Sequence, residues 1–370
     1  MNDSRSRLLF VLHDELMSGA TIALLRLVEP LRERGWQPVF WVPRPGPAAD
    51  WLGSRGYRVG GRWRPIASSL VALHQPPGLA RRTAGTPPYL SAFRRFVREC
   101  SPALVHANSL YSFAEGIVAR CMGVPTILHL HDMVPASWKA EPVRQMTRHL
   151  FHGCVAVSEA CALSYATGGW KPDVVLGAAP IPVKPVATRR KPSPFVVGTV
   201  GVISKRKGSD LFVAAAEALA RSDIEFRMIG SPSEPLDEGW AKDVLGRASA
   251  AGVTHLQQAD VAREMETWDA VALPSRRDPF PLVMLEAMAA GLPVIGARVD
   301  GIPEQIGTDG GILIDAGDAS ALAGAIAQVS ELSQSARAAM GVAARARAIA
   351  NFTIERQATE MDHVYKRVVP

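Results

Sequence analysis

Residues 273–304 read LPSRRDPFPLVMLEAMAAGLPVIGARVDGIPE, and the order of elements in this stretch indicates the fold class. It begins at the end of a predicted buried strand and continues as a charged loop. Two prolines in that loop, Pro279 and Pro281, prevent a helix from starting earlier. The apolar residues that follow predict one packed helix, which Gly291 ends, and residues 293–297 predict the next strand. The order strand, loop, helix, strand is typical of an α/β protein with a parallel sheet.

The predicted helix points its N-terminus at the carboxyl ends of the strands, where open α/β sheets bind ligands. Free backbone N–H groups at that end favour an anion. Asp278 lies in the loop and Glu286 on the helix, so two carboxylates could flank one polar ligand. A structural role is the alternative, since acidic loop residues and helix-surface glutamates are common. The stretch therefore suggests half of a ligand site as a hypothesis.

The chain has 370 residues, which predicts about two domains. Apolar residues make up 48% of it, enough to bury two cores. Residues 1–6 are polar and no run of 18 apolar residues occurs, so neither a signal peptide nor a membrane span is expected. The cysteines show no CxxC spacing and are predicted to be reduced thiols of a cytoplasmic protein: Cys100, Cys121, Cys154 and Cys161.

The net charge of +6 is distributed unevenly. Residues 1–190 carry 23 Lys and Arg against 12 Asp and Glu, whereas residues 191–370 carry 18 against 23. The asymmetry predicts two domains with different partners. A basic half suits nucleic acid, an anionic membrane surface or an anionic substrate, and equally arginines that contact only water. Residues 89–100 predict a core helix with a solvated basic face, with a basic membrane-contact helix as the alternative.

Two series of alternating strands and helices flank a proline-rich linker. The first series begins with a strand at residues 8–12 and a helix at 20–34 and runs to a strand at 154–158. Residues 180–194 then hold five prolines and a basic cluster, which predicts an interdomain linker. A strand at residues 195–200 restarts the pattern. Two doubly wound parallel sheets are the natural prediction.

Lys205, Arg206 and Lys207 directly precede a predicted helix. Three cations at a helix N-terminus oppose the helix dipole unless an anion lies among them. A diphosphate would be such an anion, because Arg matches it as a fork and Lys as a point charge. The alternative is a set of solvated loop charges.

His129, His131 and Asp132 end a predicted strand, and period-two spacing places both histidines on one face. The trio suggests a zinc or iron site, but no further ligand at a suitable spacing is apparent. A strand-end histidine presented to a cleft and a buried core histidine therefore remain open. The sequence has no Asp-x-Asp pair, P-loop or strand-linked GxGxxG, which argues against a magnesium-bridged diphosphate and against P-loop and nicotinamide chemistry.

Residues 274–295, PSRRDPFPLVMLEAMAAGLPVI, resemble the E-x7-E motif of glycosyltransferase family 4, retaining enzymes of the GT-B fold. Asp278 stands at the first Glu of that motif and Glu286 at the second. Lys207 matches the lysine of the family's basic G-R-x(3–5)-K-G segment. Val202 occupies the Arg position of that segment, and Arg206 is the substitute guanidinium.

The first half resembles the family more loosely. Ser18-Gly19-Ala20 is similar to the glycine-containing first loop, and His131 to the histidine that faces the reacting sugar. Residues 155–158 match the V-x-V-S strand. The family's N-G-[IV] segment before the linker is absent, and residues 177–179 stand there instead.

The resemblance implies two Rossmann-like doubly wound α/β domains facing a central cleft, with a final helix that crosses back to the first domain. Residues 1–187 and the return helix 352–370 would form the acceptor-side domain, and residues 188–351 the donor-binding domain. It also implies transfer of a hexose-type sugar from a nucleotide diphosphate sugar, by default a UDP-sugar, with retention and with no metal or cofactor. The acceptor stays open between a lipid-linked or cell-envelope glycan and a natural-product scaffold.

By resemblance, Glu286 would bind the ribose and Asp278 the transferred sugar. The implied donor-binding residues are Gly19, Arg206, Lys207, Asp278, Phe280, Pro281, Leu282, Val283 and Glu286. The implied catalytic residues are Asp278, His131, Lys207 and Arg206. No nucleic-acid partner is expected, a peripheral contact of the basic domain with the inner membrane face is a candidate, and the oligomeric state is open. The alternatives are a GT-B epimerase or hydrolase, a non-catalytic nucleotide-sugar binder, and a metal-dependent hydrolase built on the His129 trio.

Overall fold

The structure, a computed structural model, describes a chain of two compact units. One unit comprises Met1–Gly177 and Ile354–Pro370, and the other comprises Ala178–Thr353. The described residues are 6–62, 86–186, 194–220, 223–232 and 238–369.

The division at Gly177 precedes the predicted domain boundary between residues 187 and 188. Residues just after Gly177 pair with the second unit. The Ala179 N–H donates to the Phe352 carbonyl at 3.1 Å, and the Val186 N–H donates to the Ala290 carbonyl at 2.7 Å. The predicted boundary itself and the basic cluster of the linker, residues 189–191, lie outside the described residues.

The first unit is built on a parallel sheet. Its strands among the described residues are β1 (Arg7–Val11), β2 (Gln37–Val42), β3 (Arg58–Gly61), β4 (Leu104–Asn108), β5 (Thr126–Leu130), β6 (Gly153–Ala156) and β7 (Asp173–Val174). Their order is β3-β2-β1-β4-β5-β6-β7, and all neighbouring pairs are parallel. The order reverses direction between β1 and β4, which makes the carboxyl ends of these two strands the expected binding crevice of this sheet.

The described helices of this unit in the first part of the chain lie between those strands. They are α1 (Gly19–Arg26), α2 (Val28–Glu33), α3 (Pro47–Ser54), α4 (Thr86–Cys100), α5 (Phe113–Cys121), α6 (Glu141–His149) and α7 (Glu159–Ser164). The single helix predicted over residues 20–34 is therefore wrong, because the helix breaks at Leu27. Pro30 explains the break: it has no N–H to donate, and its ring would clash with the carbonyl of Arg26 in a continuous helix.

The second unit contains another parallel sheet. Its described strands are β8 (Phe195–Val200), β9 (Ile224–Ile229), β10 (Thr254–Leu256), β11 (Ala270–Leu273), β12 (Val294–Ala297) and β13 (Ile312–Ile314). The order is β10-β9-β8-β11-β12-β13, again parallel throughout, with the reversal between β8 and β11. The helices are α8 (Ser209–Leu219), α9 (Glu238–Ala250), α10 (Val261–Met265), α11 (Leu282–Ala290), α12 (Ile302–Ile306), α13 (Ala319–Glu331) and α14 (Gln334–Asn351).

The last helix, α15 (Ile354–Val368), belongs to the first unit. The indole N–H of Trp36 donates to Asp362 Oδ1 at 2.8 Å, and the Tyr365 hydroxyl lies 2.6 Å from His106 Nδ1. The predicted fold class is confirmed in these respects: there are two doubly wound α/β domains, and the final helix returns to the first.

Burial on both faces of the sheets explains the apolar runs in the sequence. In β1, Leu8 and Phe10 pack into one core cluster, whereas Leu9 and Val11 pack into another. The alternation follows from the period of two in a strand. The apolar face of α4 is buried in the second of these clusters, as predicted for a core helix. No helix in the described part of the chain is long and apolar enough to cross a membrane.

Candidate functional site

Two loops meet at the carboxyl ends of β8 and β11, where the second sheet reverses its order. They are the loop that precedes α8 and the loop that precedes α11. The backbone N–H groups of Arg276 and Arg277 donate to the Arg206 carbonyl at 2.8 and 3.3 Å. The Arg206 side chain donates in return through Nη1 to the Arg277 carbonyl at 3.2 Å. The Lys/Arg cluster and the loop of the long motif that carries Asp278 are therefore brought together.

Gly208 permits this close approach. Its φ is +70°, in the left-handed region, and a Cβ added there would overlap the carbonyl oxygen of Pro274. Only a glycine meets both conditions without strain. The Lys-Gly sequence thus places a lysine next to a glycine that lets the two loops touch.

Asp278 and Lys207 form an ion pair at this junction. Asp278 is only 4% exposed, and Lys207 Nζ donates to its Oδ2 at 2.6 Å. The Ser275 hydroxyl donates to the same oxygen at 3.2 Å. None of the described residues donates to Oδ1, which is therefore the carboxylate oxygen left for a ligand. Two of the predicted catalytic residues are in direct contact.

The other cations of the two loops are unequally paired. Arg276 binds Asp210 as a fork, with Nη1–Oδ1 at 2.7 Å and Nη2–Oδ2 at 2.8 Å. Burial raises the pKa of Asp210, but the hydrogen bonds and charge of Arg276 outweigh burial, and the pKa ends below its ordinary value. Arg277 Nε donates to Asp300 Oδ2 at 3.1 Å.

Arg206 and Lys205 complete the set. Among the described residues, neither has a carboxylate partner: Arg206 donates to a carbonyl, and the Lys205 ammonium lies 5.9 Å from the centre of the Trp240 ring. Three carboxylates balance three of the five cations, so the junction keeps a surplus of positive charge. Such a surplus favours a bound anion.

The N-terminus of α11 adds backbone donors to the same place. Its cap residue, Pro281, makes no side-chain cap, so the first N–H groups of the helix have no partner within it. Pro281 itself has no N–H, and of the predicted diphosphate contacts only Leu282 and Val283 can donate from the backbone. Glu286 lies one turn further along α11 and is partly exposed.

Phe280 serves the core of the second unit. Its side chain is buried, and its ring lies 5.7 Å from that of Phe352 in an edge-to-face arrangement. Any contact of Phe280 with a ligand would therefore come from its backbone. Phe280, which was predicted to bind the sugar donor, is therefore adjacent to the site, but its ring does not face the site.

Gly19 and His131 both lie at the carboxyl edge of the first sheet. Gly19 begins α1, after Ser18, whose Oγ accepts from the Thr21 N–H at 3.4 Å. Asn108 connects the start of α1 with His131: its Nδ2 donates to the Ala20 carbonyl at 3.2 Å, and its Oδ1 lies 2.8 Å from His131 Nε2.

The amide of Asn108 determines the tautomer of His131. The Nδ2 bond to Ala20 orients the amide so that its oxygen faces His131, and His131 Nε2 must then carry the proton. Burial, together with the nearby His129 and His13, lowers the pKa of His131 well below its ordinary value, so the ring is neutral. Nδ1 is consequently a lone-pair acceptor.

Asn108→Asp is expected to raise the pKa of His131 by at least about one unit, because an adjacent carboxylate favours the imidazolium. NMR titration of the His131 ring would measure the change. Asn108→Ala, which removes the oxygen without adding charge, is the control and should leave the pKa low. A His131 in the Asp variant that titrates like the parent would contradict this assignment.

The predicted metal alternative is not favoured by the geometry. The His129 ring is buried between those of His106 and His131, with centroids 5.2 and 4.1 Å away. Asp132 accepts instead from the Ser109 hydroxyl at 3.0 Å. In the described ranges, no three His, Cys, Asp or Glu side chains are grouped as a metal would require.

Sequence reasoning missed several residues of these arrangements. Ser275, Asp210 and Asp300 hold the donor-side loops, and Asn108 holds His131. Ser275 and Asn108 carried a weak signal, because each follows or ends a predicted strand. Asp210 and Asp300 carried none, since their partners are 66 and 22 residues away in the chain.

A parallel α/β unit with a cationic loop junction at its switch point defines a protein that binds an anionic ligand. The sequence profile named Glycosyltransferase Family 4 matches residues 17–175, and the profile named Glycosyl transferases group 1 matches residues 194–331. The chain belongs to the family 4 glycosyltransferases of the GT-B fold, which confirms the family predicted from the motif.

Named relatives support this membership. A 2-deoxystreptamine N-acetyl-D-glucosaminyltransferase of Streptomyces fradiae is 29% identical over 357 residues, 83% of this chain and 81% of that protein. A D-inositol 3-phosphate glycosyltransferase of Corynebacterium diphtheriae is 32% identical over 183 residues, 46% of this chain and 42% of that protein. Its counterpart in Paenarthrobacter aurescens is 36% identical over 135 residues, 34% and 33% of the two chains. The matches with both inositol-phosphate enzymes span less than half of their length.

Solved structures show the same fold. Anabaena HepE in complex with UDP and glucose has a TM-score of 0.80 at 20% identity, covering 97% of this chain and 99% of that one. Sucrose-phosphate synthase of Thermosynechococcus elongatus has a TM-score of 0.75 at 20% identity, covering 98% of each chain.

Proposed function

We propose that the protein transfers a hexose-type sugar from a nucleotide diphosphate sugar, a UDP-sugar, to an acceptor hydroxyl or amine with retention at the anomeric carbon. The observation that carries this proposal is the Lys207–Asp278 pair, which lies beside unpaired positive charge and free helix N–H groups. A diphosphate matches the charge, and a sugar hydroxyl matches the remaining carboxylate oxygen.

On the donor side, Arg206, Lys207 and the N–H groups of Leu282 and Val283 bind the diphosphate. The Lys207 ammonium has three protons, and its bond to Asp278 uses one of them. As the bond from the anomeric carbon to the phosphate oxygen breaks, negative charge develops on the diphosphate, and these donors stabilise it. In this proposal they take the place of a metal ion.

Asp278 and Glu286 hold the two sugars of the donor. Asp278 Oδ1 accepts a hydrogen bond from a hydroxyl of the transferred sugar, and Glu286 accepts from the ribose. In the first unit, the lone pair of His131 Nδ1 likewise accepts from a sugar hydroxyl. All three roles follow the family resemblance, and for Asp278 and His131 the free acceptor atom supports them.

Retention is proposed to follow from a front-face reaction. The acceptor attacks the face from which the diphosphate leaves, and a leaving phosphate oxygen takes the acceptor's proton. The new bond joins the acceptor to the anomeric carbon, the bond to the phosphate oxygen breaks, and the nucleotide diphosphate departs protonated. Asp278 is not the nucleophile in this scheme: its Oδ2 is bound by Lys207 and Ser275, and its Oδ1 is assigned to a hydroxyl of the transferred sugar.

The relatives suggest donor and acceptor classes. HepE was solved with UDP, with UDP and glucose, and with UDP-glucose, and we take UDP as the donor nucleotide on that likeness. The relatives are named for D-inositol 3-phosphate and for 2-deoxystreptamine. A small polyhydroxylated scaffold is accordingly the first acceptor class to test, and a lipid-linked glycan at a membrane surface is the second.

A thermal-shift screen with UDP, GDP, ADP, UDP-glucose and UDP-N-acetylglucosamine tests the donor proposal. A ligand at 100 times its Kd stabilises the folded state by about 2.7 kcal/mol, so UDP and one UDP-sugar should raise Tm clearly. Glu286→Gln should weaken that shift. No shift with any of the nucleotides would overturn the proposal.

Product analysis with a panel of both acceptor classes tests the reaction. The expected product keeps the anomeric configuration of the donor, as read by proton NMR. An inverted product would contradict the retaining mechanism. Release of free sugar without acceptor would indicate a hydrolase, and binding without turnover across the panel would indicate a non-catalytic binder.

A further inference from the structure

Asp300 lies in the loop between β12 and α12 and is bound to the loop that carries Asp278. Its side chain is 11% exposed. Its Oδ2 accepts from the backbone N–H of Asp278 at 2.8 Å and from Arg277 Nε at 3.1 Å. One carboxylate thus holds the main chain of Asp278 and a neighbouring cation.

The backbone of Asp300 is strained in support of this contact. Its φ is +46°, in the left-handed region, which costs a non-glycine residue about 1 kcal/mol or more. Aspartate tolerates this region better than most residues do. A conformation of this kind persists where the surroundings over-determine it, and the two hydrogen bonds of Oδ2 are such a constraint.

Gly301 binds the other main-chain group of Asp278. Its N–H donates to the Asp278 carbonyl at 3.3 Å, and a Cβ at Gly301 would overlap the Pro279 carbonyl. Asp278 is therefore bound at its N–H by Asp300 and at its carbonyl by the next residue. The N–H and the carbonyl of Asp278, the residue proposed to bind the sugar, are therefore both held by the dipeptide Asp300-Gly301.

We propose that Asp300 is the positioning residue that aims the Asp278 carboxylate and thereby sets which sugar the donor site accepts. The inference rests on the proposed function for its ligand. An aspartate side chain has two rotatable bonds, and Lys207 and Ser275 bind its Oδ2. The location of Oδ1 then depends chiefly on where the main chain of Asp278 lies, and Asp300 fixes that main chain.

The charges along this network alternate, which allows two acidic residues to be neighbours in the site. Lys207 neutralises Asp278, and Arg277 neutralises Asp300. The contact between the two acidic residues runs through a backbone N–H and so avoids direct repulsion between their carboxylates.

Two substitutions of Asp300 separate the effect of its hydrogen bond to the Asp278 N–H from the effect of its strained backbone. Asp300→Gly accepts the positive φ without strain but has no carboxylate. Asp300→Asn keeps an acceptor oxygen and tolerates the same φ. If Asp300 has only a structural role, Asp300→Gly should bind the UDP-sugar as well as the parent does, or better, because it relieves the backbone strain. If Asp300 positions Asp278, only Asp300→Asn should keep the parent's sugar binding.

The gain in affinity that the sugar adds to UDP is the readout specific to the positioning role. It is the ratio of the Kd of UDP to the Kd of the UDP-sugar that binds most tightly, measured by calorimetry. In Asp300→Gly this ratio should fall about tenfold or reach one, while the Kd of UDP changes less than about threefold. Discrimination between UDP-glucose and UDP-galactose should fall with it. Asp300→Asn should retain both values within about threefold.

Hydrogen exchange of the Asp278 amide supplies a readout that needs no ligand. Asp300→Gly should speed this exchange by about tenfold, and Asp300→Asn should leave it near the parent rate. Unchanged exchange in the glycine variant would overturn the positioning role. Faster exchange with an intact affinity ratio would overturn the link to sugar choice.

Failure of the proposed function has a different outcome. In that case the parent protein binds neither UDP nor any UDP-sugar, and the sugar-selection part of the inference fails with it. The exchange rates of the two variants still decide whether Asp300 positions Asp278.

Discussion

Lys207→Ala is expected to lower kcat/KM for sugar transfer by about 10²- to 10³-fold, the range for removing one preorganised donor to a developing anion. The Lys207 ammonium is the cation in contact with Asp278, at 2.6 Å, and it is partly buried. Its removal takes charge from the leaving diphosphate and leaves the Asp278 carboxylate without its ion-pair partner. Steady-state transfer and calorimetric UDP binding measure the first consequence, and urea unfolding measures the second.

A matched control is Lys242→Ala, an exposed lysine on α9 of the same unit, which should change kcat/KM less than about twofold. The double variant Lys207→Ala with Asp278→Asn separates stability from chemistry. It should recover stability lost by the single variant, because no unpaired carboxylate remains, but it should recover no activity. Transfer at the parental rate in Lys207→Ala would contradict the proposal that Lys207 stabilises the leaving diphosphate.

Gly208→Ala is expected to lower the free energy of unfolding by about 3 kcal/mol or more and to abolish donor binding. The new methyl group would overlap the Pro274 carbonyl, and alanine would also be strained at a φ of +70°. Relief requires the two loops to separate, which would move Lys207 away from Asp278. Urea unfolding and UDP titration measure the two effects.

Gly246→Ala is the control for that substitution. Gly246 lies within α9, with no atom within 4 Å of an added Cβ, and alanine there should stabilise the protein by about 0.5–1 kcal/mol. A Gly208→Ala protein that unfolds at the parental urea concentration and binds UDP normally would contradict the close-approach argument.

Much of the fold could be predicted because its signals are local. The helix after Pro281 begins at Leu282 and ends at Gly291 in the left-handed conformation, as the proline and glycine positions indicated. Asp318 directly precedes α13 and caps it by accepting from the Ala321 N–H at 2.8 Å, which is the usual role of an aspartate at that position. The break at Leu27 was equally readable from Pro30, and the prediction of one helix overlooked it.

The candidate site was predictable as a set of residues but not as an arrangement. The long motif identified Asp278 and Glu286, the basic segment identified Lys207, and the chemical roles of all three stay predictions. No pattern in the chain indicated that Lys207 would bind Asp278, since 71 residues separate them. The same holds for the Asn108 amide that selects the His131 tautomer, 23 residues away.

The family and the two doubly wound sheets could be predicted from the amino-acid sequence alone, and the family resemblance implied the return of the last helix. Apolar runs, caps and turn residues act within a few positions, and a long motif is read without any geometry. The three-dimensional contacts were needed to learn which oxygen of Asp278 is occupied, which cations have no carboxylate partner, and that Asp300 holds the main chain of Asp278. These facts depend on β8 and β11 being neighbours in a parallel sheet, which brings loops from distant parts of the chain to one edge.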